Sequence, residues 1–252
     1  MLPPSGLELP ALRAAERPSP NIGAALALVS AGRATAVVAC PHSEKSVNAA
    51  GIPFSGYPSL LARLKHLPED EVFLMLVGGG LRIVHVTLHE RLQDALARIN
   101  SRLIEAAVRA SVGALRQLGV DSPKLGIFGI NPHAGEGGLF GDDDTRIIEP
   151  SVATLRSEGY VVEGPIGADL MVGRSDLDAF VAMYHDQGHI PVKLLAGRNS
   201  AAMSIGSGLI FSTVGHGCAF DIAGRNIADD EPILRSLRLV GGATHFGAQL
   251  RR

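Results

Sequence analysis

Leu125-Gly126-Ile127-Phe128-Gly129-Ile130 runs without interruption into Asn131-Pro132-His133-Ala134-Gly135-Glu136-Gly137-Gly138, an apolar stretch of strand length ending in a polar, glycine-rich loop. In open α/β sheets ligands gather beyond the strand ends, and glycine there lets the backbone approach a bound molecule. The same punctuation recurs: Tyr184-His185-Asp186-Gln187-Gly188-His189 follows the apolar run 179–183, and glycines cluster over 206–217 after the run 201–205. Further out, the short apolar runs 34–39, 72–77, 81–87, 124–130, 160–162, 179–184 and 201–205 read as strands, interleaved with segments of helical period. Three such segments, 22–31, 91–118 and 150–158, each stop on a glycine suited to a left-handed cap, Gly32, Gly119 and Gly159. This alternation predicts an α/β sheet protein. The Pro-rich residues 1–20 lack any period and read as a flexible arm, which leaves 21–252 as the working unit.

A chain of 252 residues with 46% hydrophobic content can bury a sizeable core. Lys+Arg 23 against Asp+Glu 25 gives a net charge of -2, so there is no basic field for a nucleic-acid backbone and no polybasic membrane anchor. The two cysteines, Cys40 and Cys218, lack CxxC spacing and support neither a disulfide framework nor a cysteine-rich zinc site. The opening Met1-Leu2-Pro3-Pro4-Ser5-Gly6 has no basic region followed by an apolar one, and no apolar run reaches the roughly 18 residues of a spanning helix. The expectation is a cytoplasmic protein with neither nucleic acid nor membrane as partner.

His133, His185 and His216 each follow a strand-like run and fall in a glycine-containing loop, and His89 follows the run 81–87. Neutral imidazole suits a divalent transition metal, and three histidines from separate strand ends would leave positions open for substrate oxygens. Their spacings match no zinc motif, so metal ligands and ordinary loop histidines both stay open on the residues alone. His85, four residues before His89, would be held well away from it by an extended chain. Gly215-His216-Gly217-Cys218-Ala219-Phe220-Asp221-Ile222-Ala223-Gly224 offers small residues for a flat ligand, an imidazole to stack on a base, and a carboxylate for a ribose hydroxyl. No GxGxxG follows a strand, so a Rossmann dinucleotide site is not supported; a glycine-rich turn into a last helix is the plainer alternative.

Taken in order, Ala50-Gly51-Ile52-Pro53-Phe54-Ser55-Gly56, the loop 131–138, Gly164-Pro165, 184–188 and 216–224 resemble the 4-hydroxythreonine-4-phosphate dehydrogenase (PdxA) family from about Thr35 onward. The resemblance implies a two-lobed α/β fold like that of isocitrate and isopropylmalate dehydrogenases, a cleft between the lobes, and a homodimer with a shared active site. It implies that His89, His133 and His185 bind a divalent metal, zinc or similar, with ligands drawn from both subunits. Asp169, Asp186 and Lys193 become the catalytic candidates, and His216, Gly217, Ala219, Asp221 and Gly224 the contacts to NAD or NADP. The implied reaction is oxidation of a hydroxyl beside a carboxylate, followed by decarboxylation.

Departures from the family pattern bear on the substrate. The His-Thr pair of phosphate-handling members reads Tyr57-Pro58 after Gly56, their asparagine and arginine read Ala202 and Phe211, and their His-Lys pair reads Ser43-Glu44. Replacing arginine by phenylalanine removes the best bidentate donor to a phosphoryl group. The stretches 54–62, 72–77 and 81–90 resemble the terephthalate dihydrodiol dehydrogenase branch, which converts 1,2-dihydroxy-3,5-cyclohexadiene-1,4-dicarboxylate to protocatechuate. Oxidation of 4-hydroxythreonine 4-phosphate, or a non-catalytic paralogue, are the alternatives. The family's opening strand and Gly-Asp-Pro-Gly-Ile-Gly-Pro-Glu loop have no counterpart here, so part of one lobe is expected to be missing at the N-terminus.

Overall fold

The computed structural model describes residues 20–241. The expected arm lies outside them, apart from Pro20, which opens helix α1 (Pro20–Ser30). The chain continues through β1 (Val37–Ala39), short helices α2 (Glu44–Ala49) and α3 (Tyr57–Leu64), and the hairpin β2 (Phe73–Gly78) and β3 (Leu81–His85). Helices α4 (Leu92–Arg98) and α5 (Ser101–Gln117) lead to β4 (Lys124–Phe128), and α6 (Glu149–Ser157) leads to β5 (Val161–Ile166). Then come α7 (Ala168–Met171), β6 (Ala179–Ala182), α8 (His185–Ala196), β7 (Ala201–Ile205), β8 (Phe211–Val214) and α9 (Glu231–Gly241).

All eight strands join one sheet in the order β1-β8-β7-β2-β3-β6-β4-β5. The antiparallel hairpin β2–β3 stands at its centre, turning on Gly79 and Gly80, both of positive φ. Beyond β3 the strands β6, β4 and β5 are mutually parallel, and beyond β2 lie β7, β8 and β1, so the two lobes share a continuous sheet. Strands β2, β6, β7 and β8 are buried along their whole length, as a sheet covered on both faces requires. One face packs Met75, Val84 and Ile127 against α5, and the other packs Leu76, Ile83 and Phe180 with Val192 of α8. A third cluster under α1 and α3 gathers Leu26, Phe54, Tyr57, Leu61 and Phe211. The two-lobed α/β class read from the sequence holds.

Three local readings change. The segment 91–118 is two helices, because Ile99 is extended and the Asn100 side chain accepts from Leu103 N at 3.0 Å, capping α5. From that cap, Leu103, Ile104, Ala107, Val108, Val112 and Leu115 form the buried stripe of α5, each leucine contributing roughly 1.5–3 kcal/mol by burial. Residues 185–196 are a helix and not a loop, although Gly188 and Pro191 are poor helix formers; packing of α8 on β2 and β3 overrides propensity. Strand β8 hid in a glycine-rich stretch because Ser212 and Thr213 are polar, yet both are buried, and Ser212 Oγ donates to the Ala202 carbonyl at 3.1 Å.

Candidate active site

Two of the three expected metal histidines meet at the edge of the cleft. His89 follows the end of β3, and His185 is the first residue of α8, which Gln187 fixes in place. Its side-chain oxygen accepts from Met183 N and its amide donates to the Gly129 carbonyl, both at 2.7 Å, so the helix start is tied to the ends of β6 and β4. The His89 and His185 ring centroids are 5.5 Å apart. His89 Nδ1 lies 2.8 Å from the Ser55 carbonyl oxygen, and His185 Nδ1 lies 2.7 Å from Asp186 Oδ1. Both partners are acceptors, so each Nδ1 carries the proton and each Nε2 keeps an in-plane lone pair, the arrangement in which protein imidazoles ligate metals. Glu44 Oε1 also stands 3.5 Å from His89 Nδ1.

Behind them lies a second pair that the sequence reading passed over. His85 is 1% exposed, its Nδ1 3.3 Å from the Leu74 carbonyl oxygen and its Nε2 2.9 Å from His189 Nδ1. The His189 ring stacks on His185, with centroids 3.7 Å apart and planes 12° from parallel. Burial, reinforced by the neighbouring His189, holds His85 well below the usual imidazole range; burial, and then His185, brings His189 down to about 4. Gly188 makes room for the pair, since a Cβ there would stand 2.5 Å from His85 Nε2.

His133 sits elsewhere in the chain. Six consecutive residues, 133–138, have positive φ, among them the non-glycines His133 (53°), Ala134 (54°) and Glu136 (43°). Left-handed backbone costs about 1–2 kcal/mol for each such L-residue, so something must hold the turn. That something is Asp144, fully buried, whose Oδ1 accepts from Ile130 N at 2.7 Å and Oδ2 from Asn131 N at 3.0 Å. The His133 backbone and the Asp169 carboxylate flank Gly167: a Cβ there would lie 3.6 Å from His133 Cα and 2.8 Å from Asp169 Oδ1. Among the described residues no three His, Cys, Asp or Glu side chains come together so as to hold a metal ion. The fold thus gathers His89, His185 and Asp186, and leaves His133 with Asp169.

The expected nucleotide loop follows β8. His216 and Gly217 help to line a cavity of about 490 Å³ whose other walls include Phe54, Leu74, Leu76, Leu88, Ala202 and His189. Ala219 is left-handed, and Ala219, Asp221 and Gly224 are exposed farther along the loop. Lys193 reaches from α8 to the loop's root, donating to Ser200 Oγ at 3.0 Å and to the Gly215 carbonyl, and burial lowers its pKa. It is not among the cavity-lining residues; two of its three donors are committed to this tie. No lysine or arginine of the described residues lines the cavity. Tyr57 closes one side: its hydroxyl donates to the Cys40 carbonyl at 2.5 Å and meets His42 Nδ1, and burial, then Cys40, raises its pKa. Phe211 lies beneath that wall, fully buried, its ring centroid 4.9 Å from that of Tyr57.

Comparisons with known proteins bear on the family and the fold. The family profile described as "Pyridoxal phosphate biosynthetic protein PdxA" matches residues 12–240. A 1,2-dihydroxy-3,5-cyclohexadiene-1,4-dicarboxylate dehydrogenase from Comamonas sp is 53% identical over 218 residues, covering 86% of this chain and 69% of its own. A D-threonate 4-phosphate dehydrogenase from Cupriavidus necator is 42% identical over 219 residues, covering 85% of this chain and 65% of its own. The crystal structure of a terephthalate 1,2-cis-dihydrodiol dehydrogenase from Burkholderia xenovorans matches with TM-score 0.72 at 56% identity, over 88% of this chain and 71% of that one. That of a 4-hydroxythreonine-4-phosphate dehydrogenase from Klebsiella pneumoniae matches with TM-score 0.77 at 34% identity, over 92% and 69%.

Proposed function

We propose that this chain, which belongs to the PdxA family and so is an NAD(P)-linked dehydrogenase acting on a CH–OH group, oxidises a carboxylated cyclic cis-dihydrodiol. The substrate is 1,2-dihydroxy-3,5-cyclohexadiene-1,4-dicarboxylate and the product protocatechuate. The carrying observation is the cavity: Phe54, Tyr57, Leu74, Leu76 and Leu88 give it apolar and aromatic wall, its polar lining is largely histidine, and no lysine or arginine of the described residues lines it. A phosphoryl group needs charge-assisted donors that these walls do not offer; the apolar walls fit the flat ring, and its carboxylates are left to a bound metal and to Lys193, which stands at the Gly215 edge of the cavity.

In the reaction the carbon bearing the secondary hydroxyl gives hydride to the nicotinamide, and the hydroxyl proton leaves. The resulting ketone neighbours the carbon that carries the carboxylate. Its C–C bond then breaks, carbon dioxide departs, and the electron pair forms a ring double bond and passes to the ketone oxygen; the ring is thereby aromatic, and protonation of that oxygen gives the catechol. His89 and His185 fit a divalent metal, zinc or similar, because each has Nδ1 occupied and Nε2 free. His133 of a second copy would supply the third ligand, in a homodimer with a shared site. Such an ion supplies Lewis acidity toward the substrate hydroxyl and carboxylate.

Within the chain, Asp186 and the Ser55 carbonyl set the two imidazole tautomers, and the left-handed loop presents His133 beside Asp169. The remaining donor of Lys193 serves the substrate anion or the enolate. His216, Gly217, Ala219, Asp221 and Gly224 form the surface for NAD or NADP. Among the described residues no helix is long and apolar enough to cross a membrane, and we place the enzyme in the cytoplasm. The test is reduced-nicotinamide absorbance with each substrate: turnover of the dihydrodiol is expected. Turnover of 4-hydroxythreonine 4-phosphate and none of the dihydrodiol, or metal binding without any hydride transfer, would refute the assignment.

A further inference from the structure

We propose that His189 is a specificity-determining residue whose Nε2 accepts a hydrogen bond from the substrate hydroxyl that is not oxidised, and that His85 positions it. The inference rests on the dihydrodiol reading and adds a contact to it.

The proton positions follow from the hydrogen bonds in turn. The Leu74 carbonyl can only accept, so His85 Nδ1, 3.3 Å away, carries the N–H. A neutral imidazole protonated at Nδ1 has an acceptor at Nε2, so the 2.9 Å contact is donated by His189 Nδ1. His189 Nε2 is thereby left with a lone pair and no proton. Its residue lines the cavity beside His89, Leu74 and Leu76. The relay is built into the fold: Leu74 stands on β2, His85 on β3 and His189 on α8, and a Cβ at Gly188 would meet His85 Nε2 at 2.5 Å and Ile83 at 2.8 Å.

A metal is not what this lone pair meets. An imidazole ligates in its own plane at about 2.0–2.1 Å. The His185 and His189 rings are nearly parallel with centroids 3.7 Å apart, so an ion in the plane of one stands far out of the plane of the other. A donor from the ligand is the remaining partner, and the dihydrodiol has one to give: the hydroxyl on its carboxylate-bearing carbon. An apolar wall alone would not distinguish a diol from a monohydroxy acid, whereas an acceptor left unpartnered by the latter does.

The experiment uses the full chain loaded with Zn²⁺ and NADH, which cannot accept hydride from a ligand, and measures by calorimetry the binding of two saturated analogues. These are 1,2-dihydroxycyclohexane-1-carboxylate and 2-hydroxycyclohexane-1-carboxylate. The expected preference for the first is about fivefold to tenfold, the weight of one neutral hydrogen bond. His189→Leu should erase it, and His189→Gln, whose Oε1 stands near the imidazole Nε2, should keep most of it, with bound zinc unchanged in both. Two-bond ¹H–¹⁵N spectra should show His85 and His189 protonated at Nδ1. An Nε2-protonated His189, a preference that survives in His189→Leu, or equal affinities in the wild-type chain would overturn the inference. Wild-type failure to oxidise the dihydrodiol would instead overturn the substrate reading, so the two failures are separate.

Discussion

Replacing Asp144 with alanine should cost about 2–6 kcal/mol of folding stability, because among the described residues the carboxylate is the sole side chain that caps the Ile130 and Asn131 amides. Two backbone donors would lose charge-assisted partners at 2.7 and 3.0 Å, each worth roughly 1–3 kcal/mol when orphaned. Both donors are part-buried, so water entering the gap would recover some of that loss and favours the lower half of the range. Asp144→Asn keeps the shape but points an amide N–H₂ at one of the two donors, and should cost about half as much. On a domain stability of about 5–15 kcal/mol either change is readily measured by the urea midpoint. Amide exchange at residues 130 and 131 should accelerate alongside, since these are the two amides that the carboxylate holds. An alanine variant within about 1 kcal/mol of the parent, with exchange unchanged, would refute the reasoning.

Other expectations follow from single contacts. Asp186→Asn should weaken zinc binding about 10–100-fold in a chelator competition, by loosening the His185 tautomer; unchanged affinity would remove Asp186 from the metal's support. Lys193→Met should weaken NAD(P) binding by about tenfold through loss of the tie to Gly215, with bound zinc unaltered; a fall in kcat at constant cofactor affinity would point to proton delivery instead. Arg174 pulls the Asp176 carboxyl down to about 2, and Arg174→Ala should return its NMR titration midpoint toward 3.8. Because the folded value is the lower one, that pair stabilises the protein above pH 3.8, and its contribution fades as the pH falls toward 2. Gly188→Ala should displace His85 and lower the thermal midpoint, and a variant as stable as the parent would show that the α8 start can shift at no cost.

The fold class was legible because strands buried on both faces, such as those within 124–130 and 201–205, read as short apolar runs bounded by turn residues and alternating with helical segments. Strand β8 was not, since Phe211-Ser212-Thr213-Val214 owes its place to neighbours β1 and β7 rather than to its own pattern. The start of α8 was hidden by Gly188 and Pro191, residues tolerated there for packing reasons that no local propensity records. For the site, spacing alone could not bring the His89 and His185 rings to 5.5 Å, because 96 residues separate the two strand ends that deliver them, as the Thr87–Met183 bond also shows. His189 lay inside a quoted motif and His85 was set aside as remote; what joins them is the β2–β3 register, which turns His85 toward α8. Asp144 carried no signal, since a buried aspartate serving backbone amides looks in sequence like any surface acid.

Helix α8 begins at an imidazole of the cleft edge and, two turns later, grips through Lys193 the peptide from which the cofactor segment springs. One helix therefore touches both of the proposed ligand subsites. Any factor by which an ion at one end changes dinucleotide affinity at the other must, by thermodynamic reciprocity, be returned by the dinucleotide to the ion.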